Sequence, residues 1–85
     1  MDIEMLRQDS EFDELIGKSG IFLKAAIGGR DKNKDDSEFS YCCAKISMEM
    51  ARDVAAKLLD VKRWSVKWLN LEREIIGYVL DSCKS

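Results

Sequence analysis

The segment Ser47–Leu59 constrains the fold of this 85-residue chain more than any other. Its sequence, SMEMARDVAAKLL, repeats apolar residues at helical intervals, at Ala51, Val54, Ala55 and Leu58. This spacing places them on one face of an α-helix. Ser47 suits an N-cap position, because its hydroxyl can accept a hydrogen bond from a free N–H in the first turn. The pattern predicts an amphipathic helix that begins at Ser47.

Two segments before this helix have the character of β-strands. In residues 20–28, Ile21, Leu23, Ala25 and Ile27 alternate with other residues, although a buried two-turn helix also fits so short a run. Residues 38–46 are rich in aromatics and cysteine and lead directly into Ser47. The polar run of residues 28–38 (GGRDKNKDDSE) would join the two strands as the loop of a hairpin. The alternative is one long helix with Ser37 as its N-cap, because Phe39, Cys42, Cys43, Ile46 and Met50 also have helical spacing.

The two ends of the chain both have helical patterns. Residues 2–16 read as a helix in one or two parts, and Ser10 would be the N-cap of the second part. Gly17 and Gly20 bracket a break, with Gly17 as the helix C-cap. The C-terminal segment repeats large apolar residues every three to four positions, at Val61, Trp64, Trp68, Leu71, Ile75 and Tyr78. A strand over residues 63–69 followed by a helix capped by Asn70 is the alternative there. The helical pattern covers more residues, so it is favoured.

These elements predict one α+β domain over residues 1–85. It consists of an N-terminal helix, a two-stranded antiparallel hairpin, a central helix and a C-terminal helical segment; an all-α helical bundle is the alternative. A two-stranded sheet is marginally stable by itself. We therefore expect the sheet to gain strands from a second copy, which makes a homodimer a hypothesis.

The composition argues against catalysis and against a metal or cofactor site. The chain has no histidine, so the residue most used for proton transfer near neutral pH is missing. Adjacent Cys42 and Cys43 lack the spacing of a zinc knuckle, and with Cys83 they are interpreted as small apolar groups. Glycine-rich phosphate-binding patterns are absent as well. The expectation is a protein that is not an enzyme, with no catalytic residues, no metal and no cofactor.

Charge is distributed unevenly along a chain whose net charge is −2. The N-terminal segment is acidic, and its candidate protein-binding residues are Asp9, Glu11, Asp13 and Glu14. Such a face would steer a protein with a basic surface onto this one. The segment 62–73 is basic, and its candidate nucleic-acid-binding residues are Lys62, Arg63, Lys67 and Arg73. On a helix Trp64 and Trp68 would face the core, and this weakens the nucleic-acid hypothesis.

The first function hypothesis is a non-catalytic protein–protein interaction module, a small inhibitor or adaptor of bacterial or phage type that acts through its acidic surface. The alternative is a nucleic-acid-binding module built on the basic and aromatic segment. Met1 is followed by acidic residues, without the basic and apolar regions of a signal peptide, and no run is long enough to span a membrane. With three unpaired cysteines, these features predict a cytoplasmic protein that does not bind membranes.

Overall fold

The computed structural model describes residues 3–28 and 34–83. These two ranges contain helices and no strand. The helices are α1 (Ile3–Leu6), α2 (Ser10–Gly28), α3 (Lys34–Leu59) and α4 (Val66–Cys83). The predicted α+β fold is therefore wrong, and its all-α alternative fits the structure.

Residues 20–28, predicted as the first strand, belong to the second half of α2. The buried positions of α2 are spaced by three and four residues throughout, at Phe12, Leu15, Ile16, Ser19, Leu23 and Ala26. The apparent alternation had no structural role, because Ile21 and Ile27 are exposed. Neither Gly17 nor Gly20 has a positive φ angle, and α2 continues through both, so the predicted helix end at Gly17 is wrong. The apolar face of α2 stabilises the helix through both glycines.

Residues 38–46, predicted as the second strand, lie within α3, and Ser47 is buried in the middle of that helix rather than at its start. The single long helix of the alternative interpretation is correct, although it begins three residues before Ser37. Ser37 instead donates its hydroxyl to the Ala26 carbonyl oxygen at 2.5 Å, which joins the end of α2 to the beginning of α3. Of the predicted 28–38 loop, Gly28 and residues 34–38 are helical, and residues 29–33 lie outside the described residues.

Small side chains explain why α2 and α3 pack together over the longest interface in the molecule. The buried stripe of α3 consists of Ala44, Ser47, Ala51 and Ala55. With only small side chains on the α3 side of the contact, the two helix backbones can approach closely. Opposite this stripe, α2 contributes the fully buried Phe12 and Ser19. The α2–α3 hairpin is therefore the framework onto which the other helices pack.

The chain reverses direction between α3 and α4 through two residues with left-handed backbone conformations, Asp60 (φ 53°) and Trp64 (φ 68°). Val61 N–H donates to the Ala56 carbonyl at 2.8 Å and Asp60 N–H to the Lys57 carbonyl at 3.3 Å, which is the Schellman pattern of a helix end. The helix predicted to start at Val61 begins only at Val66. Ser65 caps it, because its hydroxyl oxygen accepts a hydrogen bond from the Trp68 N–H at 3.2 Å.

Helix α4 completes the core with the buried residues Trp68, Leu71, Ile75 and Val79. This is the C-terminal part of the predicted seam, so that prediction is confirmed from Trp68 onward. The molecule is elongated, with extents of 42 × 24 × 18 Å. Because α4 packs less extensively on α3 than α2 does, part of the space between α3 and α4 stays open.

Candidate functional site

The open space between α3 and α4 is a groove with a cavity of about 220 Å³. Its floor is apolar and belongs to the packed core, because Ile75 and Leu23 are buried there. Its walls are the exposed side chains of Tyr41, Ile76 and Leu80, together with the partly buried Met48. The remaining lining residues carry charge: Lys45, Glu49 and Glu72. A concave apolar surface with a few charged groups at its rim is typical of a binding site.

The groove continues onto the α2–α3 hairpin. A second depression, of about 520 Å³, shares Leu23 and Tyr41 with the first. It extends toward the end of α2 through Ala26 and Ile27. Ile27 is exposed, so apolar surface runs from the end of α2 to the middle of α4. We call this continuous surface, formed by the two depressions, the α3–α4 groove.

Arg52 fixes the position of α4 at the other end of the groove. Its guanidinium carbon lies 3.8 Å from the centre of the Trp68 ring, and its Nη1 lies 3.6 Å from the Glu72 carboxylate. Arg52 is 9% exposed, and its Nε lies 3.7 Å from Asp53 without forming a hydrogen bond. A cation that lies on an indole face in a desolvated site is strongly held. Glu72 is thereby positioned at the rim of the groove.

The two tryptophans have different environments although both were expected in the core. Trp68 is 3% exposed, as predicted, whereas Trp64 is 71% exposed. Their ring centroids are 4.7 Å apart at an interplanar angle of 45°, and the Arg63 guanidinium carbon lies 5.8 Å from the Trp64 ring. The core prediction for Trp64 is wrong because this residue precedes α4 instead of lying on its buried face.

The basic candidates Lys62, Arg63, Lys67 and Arg73 are all exposed, but they do not form one continuous surface. Lys62 and Arg63 lie beside Trp64 in the α3–α4 connection. Lys67 and Arg73 are six residues apart on α4, which places them about 120° apart around the helix axis. The structure therefore brings Lys62 and Arg63 together with Trp64 and directs Arg73 elsewhere.

The acidic candidates are largely used within the fold. Asp9 is the N-cap of α2, because its Oδ1 accepts a hydrogen bond from the Phe12 N–H at 3.0 Å. Asp13 forms an ion pair with Arg7, and Glu14 forms an i,i+4 pair with Lys18 at 3.2 Å. Glu11 lies exposed in the first turn of α2. The capping residue predicted at Ser10 is therefore Asp9, one position earlier.

Arg7 connects this acidic corner to α4. Its Nε donates to the Asp13 carboxylate at 2.5 Å, and its Nη1 donates to the Tyr78 hydroxyl at 3.0 Å. The hydrogen bond with Tyr78, followed by that with Asp13, raises the pKa of the Arg7 guanidinium above its ordinary value. Since arginine is charged at any physiological pH, this link holds α2 and α4 together under all those conditions.

The groove residues Tyr41, Lys45, Met48 and Leu80 were not predicted as a site. Periodicity marked Leu80 as a widening of the α4 seam, but the α3 residues line one face only if residues 38–46 are helical. Their common surface results from the tertiary arrangement, which a single sequence does not reveal.

The thiols of the chain are not joined by disulfides: Cys42 is exposed, and Cys43 and Cys83 are partly buried. Cys83 Sγ lies 3.6 Å from the Gly20 carbonyl oxygen. Within residues 3–28 and 34–83, no cluster of three or more acidic, histidine or cysteine side chains could hold a metal ion. None of the helices described has the length and apolar character needed to cross a membrane. Comparison with protein-family models, curated proteins and solved structures found no match for this chain.

Proposed function

We propose that this protein is a non-catalytic protein–protein interaction module that binds an amphipathic helix of its partner in the α3–α4 groove. The observation that carries the proposal is the groove itself, in which exposed apolar walls stand over a buried apolar floor between two helices. Grooves of this kind accept the apolar face of a helix. An adaptor or inhibitor of this type needs no reactive group, which agrees with the absence of histidine.

The dimensions of the groove suit a short helical segment. From Glu72 to Leu80 the α4 wall spans eight residues, or about 12 Å. That length corresponds to about two turns of a bound helix, with apolar contacts at positions i, i+3 or i+4, and i+7. The cavity of about 220 Å³ has room for one bulky anchor, since an engineered cavity of about 150 Å³ in another protein binds benzene.

Charge at the rim favours a helix with basic residues beside its anchor. Three residues that line the groove are acidic, Glu38, Glu49 and Glu72, and one is basic, Lys45. Of the acidic residues, Glu72 is already paired with Arg52. Opposite charges at the rim of an interface mainly raise the association rate and select the partner. A basic partner was also expected from the acidic N-terminus, where the exposed Glu11 and Glu14 would supply a secondary contact. The proposal includes a cytoplasmic location, in keeping with the three free thiols.

Selection of helical peptides from a display library tests this function without knowledge of the natural partner. Peptides that bind the wild-type protein are measured against Ile76→Glu and Leu80→Glu, which place a charge on the groove wall. Val66→Glu is the matched control, because Val66 is an exposed apolar residue of α4 that does not line the groove. We expect the groove variants to weaken binding at least about tenfold and the control to leave it unchanged. Selected peptides that bind all variants equally would contradict the proposal.

A second candidate function, nucleic-acid binding, is favoured by one observation. Trp64 is exposed beside Lys62 and Arg63, so a base could stack on the indole while the cations contact phosphates. Fluorescence anisotropy with a single-stranded oligonucleotide at low salt tests this function, with Trp64→Ala and Lys62→Gln as variants and Lys24→Gln as control. The expected signal is affinity that falls steeply with salt and is lost in the first two variants. A flat titration at low salt would remove this candidate.

A further inference from the structure

The connection between α3 and α4 presents exposed apolar and basic side chains together. Trp64 is 71% exposed and Val66 is 75% exposed. Three exposed cations accompany them: Lys62, Arg63 and Lys67. We call these five residues the α3–α4 corner. Side chains in the first turn of a helix lean toward its N-terminus, so Val66 and Lys67 project toward the turn that carries Trp64.

The α3–α4 corner lies at one end of an elongated molecule. Helix α3 has 26 residues, or about 39 Å, so it runs along the 42 Å dimension, and the corner follows its last residue, Leu59. At the opposite end, the hydrogen bond from Ser37 to the Ala26 carbonyl fixes the register of α2 on α3. From there α2 extends back about 24 Å to Ser10, whereas α3 extends about 33 Å to Leu59. The corner therefore stands about 9 Å beyond the acidic start of α2.

The backbone at position 64 suits glycine better than tryptophan. Residues 62–65 form a turn in which the Ser65 N–H donates to the Lys62 carbonyl oxygen at 3.2 Å. Trp64 occupies the third position of this turn with a φ of 68°, where glycine is the favoured residue. Backbone strain of this kind concentrates at functional positions. A bulky side chain that keeps a strained conformation and exposes its ring is therefore a candidate contact residue.

The corner belongs to a basic region of an acidic protein. Between Asp53 and Glu72 the chain carries four cations, Lys57 and the three of the corner, against one acid, Asp60. This segment has a net charge of +3 in a chain whose net charge is −2. Glu72 is paired with Arg52, and Asp53 lies about 9 Å before the end of α3, which is about one Debye length. The corner therefore complements the charge of an anionic surface that approaches this end of the molecule.

We infer that the α3–α4 corner docks onto an anionic lipid surface. Trp64 and Val66 insert between the lipid headgroups, and the three cations contact the headgroup phosphates and carboxylates. Tryptophan prefers the membrane–water interface, and clustered lysine and arginine residues are attracted to acidic lipids. Docking at a surface needs neither a signal peptide nor a spanning segment, and the expectation that the protein does not bind membranes rested on those two features. The inference is independent of the groove.

Two observations favour a lipid surface over single-stranded nucleic acid, the other anionic partner considered for these residues. Sites for single-stranded nucleic acid stack successive bases on several aromatic side chains. Trp68 is 3% exposed, so within residues 62–69 only Trp64 offers a free ring. Val66 is aliphatic, and its exposed surface is removed from water by insertion into lipid rather than by base stacking.

Cosedimentation of the full chain with lipid vesicles tests the inference. The vesicles consist of phosphatidylcholine with about 30% phosphatidylserine, or of phosphatidylcholine alone. We expect the wild-type protein to bind the acidic vesicles at low salt, with a blue shift of its tryptophan emission. Binding to the neutral vesicles should be at least about tenfold weaker. Added salt should weaken binding to the acidic vesicles, because it screens the attraction.

Three variants test whether the contact lies at the corner, and circular dichroism checks that each retains its helicity. Trp64→Gly relaxes the backbone and should weaken vesicle binding at least about tenfold. Val66→Ser and Lys62→Gln should each weaken it about fivefold. Two matched controls should bind like the wild type: Ile76→Ser, at an exposed apolar residue of the groove wall, and Lys24→Gln, at an exposed cation of α2.

A wild-type protein that does not bind acidic vesicles at low salt would overturn the inference. Equal binding to acidic and neutral vesicles would do so as well, and so would a Trp64→Gly variant that binds like the wild type. Fluorescence anisotropy with a single-stranded oligonucleotide covers the competing partner. Affinity for the oligonucleotide without affinity for vesicles, or vesicle binding that is lost in Lys62→Gln but unchanged in Val66→Ser, would exclude insertion of the corner into lipid.

Discussion

Trp64 gives the sharpest test of the structure, because its left-handed backbone (φ 68°) is a conformation that favours glycine. Trp64→Ala and Trp64→Gly both remove the tilted ring contact with Trp68 and the cation–π contact with Arg63. The two variants differ only at the Cβ atom, which crowds the following carbonyl oxygen at positive φ. Their difference in stability therefore isolates the backbone strain from the ring contacts.

The size of that difference follows from two opposing effects. Left-handed strain costs a residue other than glycine about 1–2 kcal/mol. The greater freedom of glycine in the unfolded chain offsets about 0.4–1 kcal/mol of this. We expect Trp64→Gly to be more stable than Trp64→Ala by about 0.5–1 kcal/mol. The lost ring contacts weaken both variants by about 0.5–1.5 kcal/mol, so the glycine variant should lie close to the wild type.

Urea denaturation followed by circular dichroism at 222 nm measures both free energies of unfolding. In thermal denaturation the expected difference is a few degrees, since about 1 kcal/mol shifts Tm by about 4–8 °C in a domain of this size. Leu69→Ala and Leu69→Gly serve as controls, because Leu69 is exposed within α4 and alanine should be the more stable there by about 1 kcal/mol. An alanine variant at 64 as stable as the glycine variant would refute the left-handed conformation of Trp64.

Three further predictions concern the helices and the groove. Gly17→Ala should raise the free energy of unfolding by about 0.5–1 kcal/mol, because Gly17 lies inside α2 without a positive φ and with open space around it. A lower melting temperature of this variant in thermal denaturation would indicate that the helix is interrupted at Gly17. If Asp9 caps α2, Asp9→Ala should lower the free energy of unfolding by about 1 kcal/mol, whereas Asp9→Asn should retain most of the wild-type stability. Urea titration measures both differences. Ile75→Ala should lower the free energy of unfolding by about 2–5 kcal/mol, because it truncates a core residue. Leu80→Ala on the exposed groove wall should lower it by under about 1.5 kcal/mol and still weaken peptide binding. Equal losses of stability would contradict the assignment of Ile75 to the floor and Leu80 to the wall.

Periodicity identified the helical segments in which a long apolar stripe is visible. Residues 47–59 are helical and bury Ala51 and Ala55 of the predicted stripe, whereas Leu58 is exposed. The seam from Trp68 to Tyr78 is helical as well, because its three turns bury a consistent face. The residues at which the helices begin and end were harder to predict. Ser47 has the chemistry of an N-cap, yet it lies in the middle of α3 and belongs to the buried stripe of small side chains on that helix.

The predicted hairpin failed because an apolar run as short as residues 21–27 does not distinguish a strand from a buried helix. In residues 20–28 the deciding information lies outside the run, in the continuation of the α2 stripe from Ser19 to Leu23 across Gly20. Glycine weakens a helix by only about 1 kcal/mol, and packing of the whole face outweighs that cost. Tertiary packing therefore overrode the local signals at Gly17 and Gly20.

The candidate site was less predictable than the fold. The groove brings together Tyr41 and Leu80, which are far apart in the sequence and meet only because α4 folds back along α3. Trp64 continues the helical spacing of the seam, so no pattern in the sequence separates it from Trp68. The left-handed residues Asp60 and Trp64 reverse the chain there, and neither is a glycine that would have marked the turn.

Chemical-shift mapping of a selected helical peptide on the ¹⁵N-labelled protein tests the proposed groove most directly. We expect the largest amide shifts at residues 41–49 of α3 and 72–80 of α4, and we expect Ile76→Glu to abolish them while Val66→Glu does not. Shifts concentrated instead at the acidic residues 9–14, or at residues 62–67 around Trp64, would contradict binding in the groove.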